Sequence, residues 1–194
     1  MTFKTLCAAL CLAASPLTAN PDLRPPDQDR IKTEAVMFAH ALRQALADGA
    51  PEDVAVLVEA LSGGPGLIAP EGEWNCRTMK MAGFVPLAVY QPFECIVRET
   101  GTGEWNIRKI TGSQRMRGTL TFGEVFTIYT GVGYAGGPPA TDYAGLPEDS
   151  QEPVEPNQTH AQVGIFEQMS PNRARLLLPS PVLESSYDIL YLTR

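Results

Sequence analysis

Histidine is nearly absent from this chain. His40 and His160 are the only two in 194 residues, which leaves little for imidazole general-base chemistry or for a mixed cysteine and histidine zinc site. Cysteine is scarce too: of four, Cys7 and Cys11 sit in an apolar leader, and only Cys76 and Cys95 lie beyond it. The chain has no Gly-x-Ser-x-Gly elbow, no Ser-x-x-Lys box, no Walker-type phosphate loop and no calcium-loop pattern. Serine acyl transfer, P-loop nucleotide binding and EF-hand chemistry are therefore not expected, and neither is a cofactor or a metal. Positive charge is also short, with a formal net charge of −7, so global attraction to nucleic acid or anionic lipid is not expected.

What the sequence does have begins with its leader. Lys4 precedes an apolar core from Leu6 to Ala14, then a Ser15-Pro16 break and Leu17-Thr18-Ala19, after which the chain turns polar. This pattern predicts a cleavable signal peptide over residues 1–19, with cleavage near Ala19 and a periplasmic or secreted product. The core is too short for a spanning helix, so stable membrane insertion is not expected. Lipidation at Cys11 would need a small residue before it, and Leu10 stands there. In an oxidising compartment the remaining pair, Cys76 and Cys95, is most simply one disulfide, contributing about 3 kcal/mol by chain entropy. The alternative, a redox or metal pair, has a spacing far from Cys-x-x-Cys.

From Asp27 to Asp48 the apolar residues Ile31, Ala35, Phe38, Ala39, Leu42, Ala45 and Leu46 recur at three- and four-residue steps, predicting one amphipathic helix stopped by Gly49. Pro51 opens a second, with Val54, Leu57, Val58 and Leu61 on its stripe. Beyond Ala69 the texture changes to β-branched and aromatic runs cut by Gly, Pro and Asn. These predict strands over Glu73–Met81, Val85–Val97, Glu104–Ile110, Arg117–Phe122, Val125–Thr130, Gln162–Gln168, Arg173–Leu178 and Ser186–Leu192. The expected fold is mainly β, a small antiparallel barrel of about eight strands with a lipocalin-like or similar meander and two N-terminal helices. In this reading residues 20–69 are a helical segment packed on the barrel, and residues 70–194 are the barrel domain. The block Gly72-Glu73-Trp74-Asn75-Cys76-Arg77 recurs as Gly103-Glu104-Trp105-Asn106-Ile107-Arg108. With a period of two, Trp shares a face with Cys76 or Ile107, while Asn and Arg point the other way.

Residues 130–159 interrupt the strands with many Gly and Pro and carry Asp142, Glu148, Asp149, Glu152 and Glu155 without one Lys or Arg. A loop this long is either functional or mobile. Asn157-Gln158-Thr159 fits a glycosylation acceptor, which implies exposure. The densest polar cluster runs from Lys109 to Arg117 and, with Arg77, makes a locally cationic strip in an anionic protein. Guanidinium forks suit carboxylates or phosphates, so Arg77, Lys109, Ser113, Gln114, Arg115 and Arg117 are the candidate anion- or partner-binding residues. The competing reading pairs these cations with the protein's own acids, including those of the 142–155 stretch. No residue stands out as catalytic. Paired carboxylates for glycoside hydrolysis depend on a separation in space, and Glu94 and Glu104 on predicted strands read first as outward salt-bridge partners.

At this cluster the chain resembles a known family. Trp74-Asn75-Cys76-Arg77-x-x-Lys80, Phe93-Glu94-Cys95, Lys109-Ile110-Thr111-Gly112-Ser113-Gln114-Arg115 with Gly118, Val163-Gly164, Arg175-Leu176-x-Leu178-Pro179 and Glu184-Ser185 are similar to the bacterial domain of unknown function 4893 family. The resemblance covers most of the chain beyond the leader and implies an envelope or secreted protein. It carries no activity, so no catalytic residue transfers with it.

The functional expectation is a non-enzymatic binding or interaction protein, with an envelope protein or a small anionic ligand as partner. The alternatives are an envelope hydrolase using paired carboxylates on glycan or peptide, and a barrel-type inhibitor of a secreted enzyme.

Overall fold

The structure, a computed structural model, describes residues 21–66 and 68–194; the predicted leader over residues 1–19 lies outside them. Three helices come first: α1 Pro25–Lys32, α2 Glu34–Asp48 and α3 Pro51–Leu61. Nine strands follow: β1 Gly72–Met81, β2 Leu87–Val89, β3 Phe93–Gly101, β4 Glu104–Lys109, β5 Gln114–Phe122, β6 Thr127–Ala135, β7 His160–Ser170, β8 Arg173–Pro179 and β9 Tyr187–Thr193. Neighbours pair antiparallel in the order β2-β1-β3-β4-β5-β6-β7-β8-β9, and β1 also pairs with β9. The expected antiparallel barrel is therefore present and closed, with eight strands in the ring and β2 as an extra.

The predicted strand Val85–Val97 is two strands. The chain steps sideways at Tyr90-Gln91-Pro92, where proline offers no N–H to a ladder. As a result one edge of β1 is shared: Gly72–Cys76 pairs with β3 and Met79–Met81 with β2. Three other strands are longer than predicted. β5 starts at Gln114, β6 runs on to Ala135 and β7 begins at His160, so the long connection is 136–159. Gly131 and Gly133 read as loop residues, yet both sit inside a paired strand.

Alternation along the strands fills the lumen. Trp74, Cys76, Cys95, Val97, Trp105, Ile107, Met116, Leu120, Tyr129, Phe166, Leu176, Leu190 and Leu192 form one buried cluster, while Glu73, Asn75, Glu104, Asn106 and Arg108 are exposed. The internal echo thus behaves as its period requires. Cys76 and Cys95 form the expected disulfide inside this cluster, with Cα atoms 5.8 Å apart. One end of the barrel is plugged. Ile68 packs against the cluster, Trp74 Nε1 donates to Pro70 O at 2.8 Å, and Ala69 N donates to Gln168 Oε1 at 2.8 Å. The opposite end carries the turns 82–86, 110–113 and 180–186.

The helices cover the outer face of β1, β2, β8 and β9. Met79, Met81, Leu87, Tyr187, Ile189 and Tyr191 meet Ala41, Ala45, Leu57 and Ala60 there. The two fully buried alanines let α2 lie close on the sheet; Ala45→Leu would overpack that contact at a cost of about 1–3 kcal/mol. Leu46 and Val58, placed on the predicted stripes, are more than half-exposed or nearly so, because the buried face is centred one step away on Ala41 and Ala45. The single helix predicted over Asp27–Asp48 is broken at Thr33, which sits at φ −94°, ψ 1°. Its hydroxyl donates back to Asp29 O at 2.8 Å, a local bond that competes with helix continuation. Arg175 and Arg173 close the C-terminal end of α3. Arg175 Nη1 donates to Ala60 O and Leu61 O, and Arg173 Nη2 to Glu59 O, where the helix dipole favours a cation.

The 136–159 connection folds down the outer wall instead of across the open end. Leu146 buries against Val132, Tyr134 and Ala161. Asp27, fully buried, binds Arg24, Arg30, Tyr143 and Gln151, and Arg24 also donates to Pro147 O and Ser150 O. Burial alone would push the Asp27 carboxyl up, but the bonds from Arg24, Gln151 and Tyr143 and the charge of Arg30 outweigh it and hold it low. Asn157, predicted to be exposed for glycosylation, is half-buried and its amide donates to Pro138 O at 2.6 Å.

Candidate functional site

The lumen stays open at its polar end as a cavity of about 210 Å³. Its floor is apolar, made by Met116, Leu178 and Leu190 above the packed cluster; its collar is polar, with Lys80, Lys109, Gln114, Gln162 and Asp188 contributed by five different strands. Strand alternation explains the set. Each of these residues sits an even number of positions from a lumenal apolar neighbour on its own strand: Lys80 from Cys76, Lys109 from Ile107, Gln114 from Met116, Asp188 from Leu190.

Two arrangements of charge coexist in the collar. Lys80 Nζ donates to Glu184 Oε2 at 2.6 Å and to Gln114 Oε1 at 3.0 Å, while Gln114 Nε2 donates to Glu184 Oε1 at 3.0 Å. The bond from Lys80 holds the Glu184 carboxyl below its usual range. Lys109 differs. Its ammonium donates to Gln114 O at 2.6 Å and lies 3.8 Å from the centre of the Phe93 ring, and no acid pairs with it among the described residues. Burial, followed by the charges of Lys80 and Arg115, pushes it down to about 8. Asp188 shows the converse: burial raises its carboxyl to about 6, although Lys80 and the Ser185 hydroxyl oppose the shift. Gln162 Oε1 is buried without a hydrogen-bond partner.

Two glycines make the site possible. Gly112 has φ +89°, and a Cβ there would stand 2.8 Å from the Phe93 ring and 3.1 Å from Lys109 Nζ. At Gly133 a Cβ would fall 2.5 Å from His160 Nε2 and 2.7 Å from Gln162 Nε2. Gly131-x-Gly133-x-x-Gly136 has the spacing of a dinucleotide-binding turn, but its first two glycines lie in β6 between antiparallel partners, so the required strand-to-helix turn is absent here. His160 Nδ1 lies 2.7 Å from Gln158 O and so carries the proton when the ring is neutral; burial lowers its basicity.

Of the six residues predicted from the sequence, Lys109, Ser113, Gln114 and Arg115 do meet at this cavity. Arg117 does not: it points outward from β5, opposite Arg108. Arg77 lies on the outward face of β1, opposite Tyr191 of β9. Nor do the acids of 142–155 pair with the cationic strip; that segment is tied to α1. Glu94 and Glu104 are exposed and line no common cavity with each other, and Glu104 accepts from Thr100 Oγ1 at 2.8 Å. The carboxylates that line the mouth cavity are Glu184 and Asp188. Lys80 and Glu184 stand in the motifs that carry the family resemblance but were not read as site residues, and Asp188 and Gln162 were not singled out at all.

The fold is that of the closed antiparallel barrels: eight strands, a packed floor and one open polar end. Residues 21–192 match the family model described as "Domain of unknown function (DUF4893)", and the chain belongs to that family. No curated protein and no solved structure matches it.

Proposed function

We propose that this is an exported binding protein of the bacterial envelope whose barrel mouth receives a small organic anion with an apolar end. The observation that carries the reading is Lys109, a cation held inside the lumen with no acid partner among the described residues, directly above an apolar floor. A carboxylate or phosphate entering the cavity would meet Lys109, with Ser113 and Arg115 beside it, while its hydrocarbon part would rest on Met116, Leu178 and Leu190. At about 210 Å³ the cavity is below the usual range for drug-sized ligands, so the ligand is small. The buried disulfide and the leader pattern support export. The test is a thermal-shift screen of the oxidised protein against short-chain and aromatic carboxylates, organic phosphates, neutral sugars and peptidoglycan fragments. Saturable stabilisation by anions, lost in Lys109→Met, is the expected result; stabilisation by neutral compounds only, or none, would overturn it.

A second reading rests on Glu184 and Asp188. One carboxyl is lowered, the other raised to about 6, and both line one cavity, the pattern by which acid and base roles separate in hydrolases. Turnover of a glycan or peptide substrate, abolished by Asp188→Asn, would establish it.

A further inference from the structure

We propose that the outer wall carries a second site, separate from the mouth: a groove in which Arg108 and Arg117 bind the carboxylate of an acidic saccharide. The two arginines stand directly opposite each other on β4 and β5. Their chain neighbours Lys109 and Met116 are lumenal, so both guanidiniums are on the outer face. Like charges directly opposite on a sheet repel, and among the described residues neither arginine has a carboxylate within salt-bridge distance. Four other arginines serve structure: Arg24, Arg30, Arg173 and Arg175 each bind two or more protein oxygens.

The groove, about 530 Å³ and open, is bounded on one side by this pair and on the other by Asp142, Tyr143 and Ala144. That far side is fixed in place. Tyr143 Oη donates to Asp27 Oδ2 at 2.8 Å and its ring lies 5.4 Å from the Arg24 guanidinium, while Gly145 N holds Asp142 Oδ1 at 3.1 Å. The floor offers Asn106, Thr119 and Thr130. Thr119 donates to Asn106 Oδ1 at 3.2 Å, which orients the Asn106 amide N–H₂ for a further acceptor.

This inventory selects its ligand class. Paired guanidiniums suit one carboxylate, whereas Asp142 accepts hydroxyl protons and repels a second anion. A bare phosphate would satisfy the arginines and leave Asp142 facing negative charge with nothing to accept. A sugar acid gives its carboxylate to the arginines and its hydroxyls to Asp142, Asn106 and the threonines. The open ends of the groove suit a segment of a chain.

The experiment is calorimetric titration of the oxidised protein with trigalacturonate, with a neutral trisaccharide and inorganic phosphate as comparators. Wild type should bind trigalacturonate saturably and in preference to both comparators. Arg108→Gln/Arg117→Gln should weaken that binding at least tenfold and should leave the melting temperature equal or higher. Lys109→Met should leave it unchanged, which separates this groove from the mouth. No saturable binding, undiminished binding in the double variant, or phosphate binding as tight as the saccharide would each overturn the proposal.

Discussion

The two halves of the barrel's outer wall treat arginine in opposite ways. On the helix-covered half, Arg173 and Arg175 of β8 are drawn against α3, and Arg30 of α1 reaches Pro179 O and Ala161 O. On the bare half, Arg98, Arg108, Arg115 and Arg117 of β3–β5 have no acid partner among the described residues. The same contrast continues into the lumen, where Lys80 on β1 is paired with Glu184 and Lys109 on β4 has no acid. Arg30, Arg173, Arg175 and Lys80 of the covered half hold the molecule together; the named cations of the bare half have no acid to hold them.

The contrast breaks down unless substitutions on the two halves differ in kind. Arg175→Ala should be the most damaging, by about 3–4 kcal/mol in chemical denaturation, because it strands Glu167 and the last carbonyls of α3. Cys95→Ser removes the bond joining β1 of the covered half to β3 of the bare half. It should cost about 3 kcal/mol, or about 10 °C in melting temperature under non-reducing conditions, and an unchanged melting curve would deny the bond a stabilising role.

Asp188 gives a pH signature. Folded, it keeps its proton up to about 6; unfolded, it loses it near 4. Wild-type stability should therefore fall as pH rises from about 4 to 6 and then level off, since over that window the native state holds the extra proton. Asp188→Asn should flatten that slope and stabilise the protein at pH 7 by up to about 3 kcal/mol. Lys109→Met should weaken organic-anion binding at least tenfold. In wild type that affinity should decline as pH rises past about 8, where the folded ammonium loses its proton; an affinity constant up to pH 10 would remove Lys109 from the site. The smallest effect belongs to the bare wall. Arg117→Gln should change stability by no more than about 0.5 kcal/mol, and in the stabilising direction.

Much of this architecture was legible because it rests on local pattern. Alternation around Trp74 and Trp105 marks strands, Gly49 and Pro51 punctuate helices, and the isolated cysteine pair marks a disulfide. Half of the mouth was legible for the same reason: Lys109, Ser113, Gln114 and Arg115 flank a single β4–β5 turn, so closure of one hairpin gathers them. Lys80, Gln162, Glu184 and Asp188 arrive from distant parts of the chain, and only the register of a closed barrel brings them there. Arg117 was misplaced because the polar run from Lys109 to Arg117 looks like one cluster joining two strands. Once Gln114 begins a strand, the period of two sends Arg117 to the opposite face from Gln114. The loop was overlong in the same way, since Gly131 and Gly133 look like turn residues until His160 and Gln162 are seen to need the room.

Because β9 pairs with β1 on one side and β8 on the other, the barrel closes only once β9 is in place. Every earlier strand can form and still leave β1 and β8 as raw edges, open to pairing with another molecule. The slowest contact to reach is also the one that creates the lumen, since it joins segments more than a hundred residues apart. A nascent chain therefore has no closed lumen until β9 is available. A chain lacking β9 would leave both edges exposed and be an aggregation hazard.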